Sequence, residues 1–392
     1  MKLKIKSIAL ASAMFLATAG ASSAAEPIKI GVLTPLSGTY TVIGQQVKWG
    51  LELAAKEINA KGGVLGRQLE LTYEDSEANP AVATQKAEKL FQVEKVDFLT
   101  GTVSSGATLA VGQVAERNNT LMATSVSFSS SITGAKCSPN VFRVNAHAGM
   151  QAAALAAWLK QEKTKAKVYF MGPDYEMGRN TVAVFKEAAT SSGFADGGEV
   201  FAPLGNKDYS NFFGQIRAAR PDVIYTSMAG NDSVRLFTQM QEYGVSKGVQ
   251  IVGAAGTVTP ANIEAMGAAA EGFVTGVGYS PLIDTPENKA FVAAFRNESG
   301  GTDPDLYGAD SYGLLFLYKA AAENAGSIET DKLRKALEGV EWQTPQGLKK
   351  MRAGDHQAEM PMYAVRVKDG TFTIASKVPG EAAIGEDVCE RF

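Results

Sequence analysis

From Ile28 the chain alternates, turns fully apolar through Val32 and Leu33, and stops at Thr34-Pro35-Leu36-Ser37-Gly38. That pattern predicts a strand feeding a Gly-containing loop. Val47, Leu51, Ala54, Ala55 and Ile58 then fall at helical spacing over 45–60, and Gly62-Gly63 suits a helix end. The alternation continues with strands at 69–73, 96–100 and 121–124 and helices at 81–92 and 104–118. It restarts with a helix at 152–160, a strand at 167–171, a helix at 181–191 and a strand at 199–201. A helix at 209–219, a strand at 222–225, a helix at 233–243 and a strand at 250–252 follow. Two consecutive α/β units of similar size result, alike in pattern but without a close sequence repeat. Short Gly-rich connections between strand and helix imply parallel sheets covered on both faces. After Phe273 the character changes. Helices are predicted at 288–297, 307–325 and 330–337, then a hairpin of 363–367 and 372–374 about Asp369-Gly370.

The first 25 residues stand outside this pattern. Lys2, Lys4 and Lys6 precede an uncharged apolar stretch from Ile8 to Gly20, and Ala21-Ser22-Ser23-Ala24-Ala25 supplies small residues for cleavage. This is the pattern of a secretory signal peptide, too short and wrongly flanked to span a membrane. Cleavage after Ala25 leaves Glu26 first. No Cys follows the apolar segment, so no lipid anchor is expected, and no membrane insertion. The chain of 392 residues carries a net charge of −3, which loss of the three leader Lys makes three units more negative. That balance argues against nucleic acid or an anionic membrane as partner. The two Cys, Cys137 and Cys389, predict a disulfide in an exported protein, with a reactive thiol as the alternative. It would tie the C-terminal tail to the first half of the chain. His147 and His356 give the Cys no metal-ligand spacing, so neither metal nor cofactor is expected.

Ligands of open α/β sheets bind beyond the carboxyl ends of the strands. The loops at 36–44, 102–107, 125–131, 172–178, 229–232 and 254–259 are therefore the ones to read. Gly101-Thr102-Val103-Ser104-Ser105-Gly106 sets hydroxyls and free amides at a helix start, where unpaired N–H groups and the helix dipole favour an anion. Ser104 or Ser105 as a plain N-cap is the bland alternative. Ser125-Val126-Ser127-Phe128-Ser129-Ser130-Ser131 adds hydroxyls at a neighbouring strand end. Together the two loops resemble an uncharged, hydrogen-bonding grip on a carboxylate. No Gly-x-Ser-x-Gly elbow, P-loop or dinucleotide fingerprint is present, so the sequence does not read as an enzyme. His147 reads as structural. Asp174, Tyr175 and Met177 sit at a strand end, where ligand contact and a plain loop role are equally open.

Ile30-Gly31-Val32-Leu33-Thr34-Pro35-Leu36-Ser37-Gly38, Glu57-Ile58-Asn59-Ala60-Lys61-Gly62-Gly63-Val64-Leu65-Gly66-Arg67 and the later segment Asp75 to Pro80 are similar to one family. The chain resembles the periplasmic leucine/isoleucine/valine-binding proteins, type I solute-binding components of ABC importers, over nearly all of 26–374. The resemblance implies a periplasmic, monomeric receptor of two Rossmann-like lobes that close on a ligand and deliver it to permease subunits. It implies crossovers near 143–145, 273–278 and 360–365. Lobe 1 would then comprise 26–144 and 276–360, lobe 2 145–275 and 361–375, and the tail 376–392.

Carried over by position, the resemblance assigns Ser105 the carboxylate-binding hydroxyl and Val103 a backbone contact. Ser127 and Phe128 fall in the second carboxylate loop, with Ser129 as the near alternative. Ile43 takes the wall of the first loop, Tyr175 and Met177 the lid of the second lobe, and Ala229 and Asn231 its other loop. One departure stands out. Amino-acid binders of the family carry an acid after the strand matching Ile251-Val252, to pair with the ligand ammonium. Here Gly253-Ala254-Ala255-Gly256 stands there. Either Asp232, Asp174 or Asp310 replaces that acid, or the ligand has no α-amine, as an aromatic acid would not. Asp310 reads better as a structural residue. The reading is thus a receptor for a small carboxylate, either an amino acid or an aromatic or aliphatic acid. The alternative is a sensing subunit that presents its closed form to a signalling partner.

Overall fold

The computed structural model describes residues 26–391, so the expected leader lies outside the described residues. The first half builds a parallel sheet from β1 (Ile28–Thr34), α1 (Thr41–Ala60), β2 (Leu69–Asp75), α2 (Pro80–Gln92), β3 (Phe98–Thr100), α3 (Ser105–Arg117), β4 (Leu121–Thr124) and β5 (Val141–Arg143). Its strand order is β2-β1-β3-β4-β5. The chain then crosses into α4 (Ala148–Glu162), β6 (Lys167–Pro173), α5 (Glu176–Ser191), β7 (Ala195–Ala202), α6 (Ser210–Ala219) and β8 (Val223–Thr226). There follow α7 (Asn231–Glu242), β9 (Gln250–Gly253), the one-turn α8 (Ile263–Met266) and β10 (Val274–Val277).

After β10 the chain returns to the first lobe. The helices α9 (Pro286–Ser299), α10 (Leu306–Ala325) and α11 (Thr330–Leu337) and a small antiparallel sheet follow. That sheet is β11 (Glu341–Thr344), β12 (Gly347–Met351) and β13 (Ala358–Glu359). Buried residues of this region, among them Phe295, Leu314, Leu333 and Trp342, join one apolar cluster with β1 and α1. The third crossing leads to β14 (Met362–Lys368) and β15 (Thr371–Val378), which complete the second sheet in the order β15-β14-β10-β9-β8-β6-β7. The hairpin thus runs three residues beyond the expected 375. It pairs antiparallel on β10, while β10-β9-β8-β6-β7 are parallel.

Close packing of α1 on α10 has a visible cause. A Cβ on Gly50 would lie 2.2 Å from the Gly308 carbonyl oxygen, so only glycine lets the helices approach this closely. The start of α10 lies beside the cleft, so this notch also sets a wall of the site.

The tail after β15 leaves the second lobe again. The one-turn α12 (Gly380–Ala383) packs on α4, and Ala383 and Ile384 join an apolar cluster to which both lobes contribute. Arg391 donates to the Cys137 carbonyl at 3.0 Å, and Cys137 is disulfide-bonded to Cys389.

Both His are structural. His147 Nδ1 accepts the Gly149 N–H at 2.9 Å and so caps α4, while His356 stacks on Phe142 with ring centroids 3.9 Å apart. Burial pulls His147 down to about 3 and His356 to about 4, so both rings are neutral at physiological pH.

Asp310 and Lys349 form a fully buried ion pair, with Gln346 also donating to the carboxylate and Lys349 Nζ donating to the Val144 carbonyl at 2.9 Å. The pair ties α10 and β12 to the first crossing. Breaking it by Lys349→Met leaves a buried carboxylate uncompensated and is expected to cost about 3–5 kcal/mol. The double variant Asp310→Leu with Lys349→Met recovers most of that loss. Urea unfolding of the parent and both variants measures it.

Candidate functional site

The chain turns from β3 into α3 through Gly101 to Ser104. Ser104 sits at the N-cap in extended conformation, φ −67° and ψ 126°, yet its side chain makes no capping bond. The first amides of α3 therefore point into the cleft without a side-chain cap. Ser105 opens the helix and is fully buried. Its Oγ accepts the Ser129 N–H at 3.2 Å, which leaves the hydroxyl proton available to another acceptor. Ser127 Oγ donates to the Val103 carbonyl at 3.0 Å and lies 2.5 Å from Thr108 Oγ1. Its hydroxyl thus locks the two loops together rather than facing outward.

Apolar walls surround this grip. Phe128 and Tyr307, at the start of α10, are stacked with centroids 6.0 Å apart and rings 25° from parallel. Ile43, Tyr40, Val103, Phe128, Met177, Ala229, Ala255 and Tyr307 belong to one continuous apolar cluster that spans both lobes, with Tyr175 packed against it. The lobes meet across the cleft through hydrogen bonds. Tyr40 Oη and Tyr175 Oη are 2.8 Å apart, Ser129 Oγ donates to Glu176 Oε1 at 2.9 Å, and the Ser130 N–H donates to Asn180 Oδ1 at 2.8 Å. Burial pushes both phenols above the ordinary tyrosine range, so they stay protonated.

Val103, Ser104, Ser105, Ser127, Phe128 and Ser129 thus come together at the start of α3. Ile43, Tyr175, Met177, Ala229 and Ala255 join the apolar wall. Asn231 does not: it is exposed, and its backbone N–H bonds the Thr39 carbonyl at 3.3 Å across the lobes. Tyr40, Glu176 and Tyr307 were not anticipated. An aromatic residue in the first turn of α10, two positions after an Asp that can cap it, was the available signal for Tyr307.

The acids offered as ammonium partners are all committed elsewhere. Asp232 pairs with Arg235 and accepts the Gly205 N–H at 2.7 Å. Asp174 pairs with Arg179 at 2.6 Å, and Asp310 with Lys349. In the loop after β9, Gly256 has no room for a side chain, while Ala255, the expected place of the acid, carries only a methyl group. A Cβ on Gly256 would lie 1.9 Å from Tyr307 Oη, and the Ala255 N–H is taken by Gln151 Oε1 at 3.0 Å. Asp305, missed in the sequence, is buried beside Ala255 in a narrow recess with Tyr279. It caps α10 by accepting the Tyr307 and Gly308 N–H groups, and burial raises it to about 7. Its Oδ1 is thereby committed to the start of α10.

The profile of the family described as periplasmic binding protein matches residues 27–371. A Leu/Ile/Val-binding protein homolog from Brucella melitensis is 27% identical over 322 residues, 82% of this chain and 85% of that one. The solved structure of an ABC transporter solute-binding protein from R. palustris in complex with benzoate matches with a TM-score of 0.84 at 25% identity, covering 93% of this chain and 99% of that one. A leucine binding protein from Thermotoga maritima matches at 0.82 and 25%, covering 90% and 99%.

Gly256→Ala pushes a methyl group into the Tyr307 hydroxyl and is expected to destabilise the protein by about 1–3 kcal/mol. Adding Tyr307→Phe removes the colliding oxygen and restores most of the stability. Thermal unfolding of the single and double variants checks the pairing. A double variant no more stable than Gly256→Ala alone would place the clash elsewhere.

Proposed function

Because the chain belongs to the periplasmic binding protein family, with the type I fold of its leucine/isoleucine/valine-binding members, we propose that it captures a small carboxylate without an α-amine and delivers it to an ABC permease. It is a solute-binding protein, as its relatives are, and the finer reading concerns the ligand. The observation that carries it is Ser105. Its hydroxyl accepts from Ser129, which leaves its proton for a ligand, beside the uncapped amides of α3. An anion there meets a positive helix end and donors held in place before it arrives.

The other end of the cleft supports the absence of an amine. Tyr307 Oη fills the space where a side chain at position 256 would stand, and Asp232, Asp174 and Asp310 are engaged elsewhere. A buried ammonium without a partner costs several kcal/mol. The walls of Phe128, Tyr307, Tyr175 and Met177 offer an apolar bed that suits an aromatic ring. The benzoate-bound relative shows that the fold accommodates such acids.

A thermal-shift screen of aromatic acids, aliphatic acids and amino acids tests this. A ligand at 100 times its dissociation constant stabilises the protein by about 2.7 kcal/mol. Aromatic acids are expected to give the largest shifts, and leucine to give little or none. A leading shift with leucine overturns the no-amine reading. Ser105→Ala is expected to weaken the best acid by about tenfold or more, the loss of one charge-assisted hydrogen bond. Unchanged affinity in calorimetry would remove Ser105 from the grip.

A further inference from the structure

Arg143 ends β5 with its side chain fully buried. Its guanidinium donates to four oxygens. Nη1 reaches the Ser129 carbonyl at 2.6 Å and the Ser127 carbonyl at 3.3 Å, Nε reaches Gln357 Oε1 at 2.6 Å, and Nη2 bonds Thr133 Oγ1. All four acceptors are neutral. Among the described residues no carboxylate lies within ion-pair distance of it. Asp355, the acid whose field reaches it, is held by Arg352 at 2.9 Å through Nε and by a second bond through Nη2. Burial lowers the guanidinium to about 9, which leaves it cationic at neutral pH. A buried cation surrounded only by neutral dipoles is an uncompensated charge, costly by several kcal/mol.

Its place gives that charge a use. The two carbonyls it holds flank Phe128, in the loop that meets Ser105. Ser129 links the two groups directly, its N–H on Ser105 Oγ and its carbonyl on Arg143. Carbonyl oxygens drawn back onto the guanidinium cannot face an anion in the cleft. We propose that Arg143 is the counter-charge of the ligand carboxylate, a positioning residue set one hydrogen-bonded residue behind the grip, and that it makes the site prefer an acid over its isosteric neutral amide. The inference rests on the carboxylate reading above. It adds that the grip, uncharged at its surface, is charged beneath.

The readout is the ratio of dissociation constants for an acid and its primary amide, measured by calorimetry. Benzoate with benzamide is the first pair, replaced by the acid that leads the thermal-shift screen and its amide if benzoate does not bind. The parent is expected to favour the acid. Arg143→Met is expected to reduce that preference by about tenfold or more, through loss of a charge acting across a water-poor interior. Arg143→Lys keeps the charge and the preference. Gln357→Glu sets a carboxylate beside Arg143, at the loss of the Nε2 bonds to the Asn145 and Ala358 carbonyls, and reduces the preference as Arg143→Met does. If Arg143→Met does not fold, Gln357→Glu and Arg143→Lys carry the comparison. A merely structural role weakens acid and amide alike, so an unchanged ratio in Gln357→Glu or in a folded Arg143→Met overturns the proposal while leaving carboxylate capture standing. A parent that no carboxylate stabilises overturns both.

Discussion

Arg143 holds its guanidinium where water does not reach, and oxygens from three stretches of chain turn toward it: the loop of Ser127 and Ser129, Thr133 in the segment that leads to β5, and Gln357 near the third crossing. Because an unsatisfied donor there would be expensive, each of those segments has little freedom to move. Gln357 in turn donates to the Asn145 carbonyl at 2.9 Å, so the first and third crossings are braced against each other. The backbone repeats the brace, with the Arg143 N–H on the His356 carbonyl at 2.9 Å. The hinge and the binding loop therefore share one polar core. A displacement of either is felt by the other.

Around that core the protein separates its charges. The buried acids are paired off in places that serve the fold: Asp310 with Lys349, Asp232 with Arg235, Asp305 at the start of α10. Both His are neutral through burial. What faces the cleft is hydroxyl, amide and apolar wall. Such a surface can hold an anion firmly through many modest dipoles.

The sequence was legible where structure is local. The βα alternation of both units, the end of α11 at Leu337 and the hairpin around Asp369-Gly370 all follow from periodicity and turn residues within a short window. Two strands were not. β5 and β10 were read only as crossovers, although β3 and β4, equally short, were read from their place in the βα rhythm. In β11 to β13, Trp342 and Met351 are buried only because α10 and α11 cover them, which no local pattern reports. The site divides the same way. Ser105 and Ser127 stood out as hydroxyl clusters at strand ends. Tyr40, Glu176 and Tyr307 matter through contacts between residues far apart in sequence, and Arg143 was read only as part of the first crossover. Ala255 was read as the place of a missing acid, and the neighbouring Gly256 was given no meaning of its own. Its meaning, room for the Tyr307 hydroxyl, needed the third dimension.

The tail carries a mechanical consequence. β14 and β15 belong to the second lobe and α12 packs on α4 beside them, yet the chain then reaches the first lobe, where Cys389 is bonded to Cys137. The lobes are thus spanned four times rather than three, and the last span is closed by a disulfide. The few residues between Ile384 and Cys389 are the slack on which any opening of the cleft must draw. The reach of the open state is therefore capped by a length of peptide, and reducing one sulfur–sulfur bond would let the jaw swing wider.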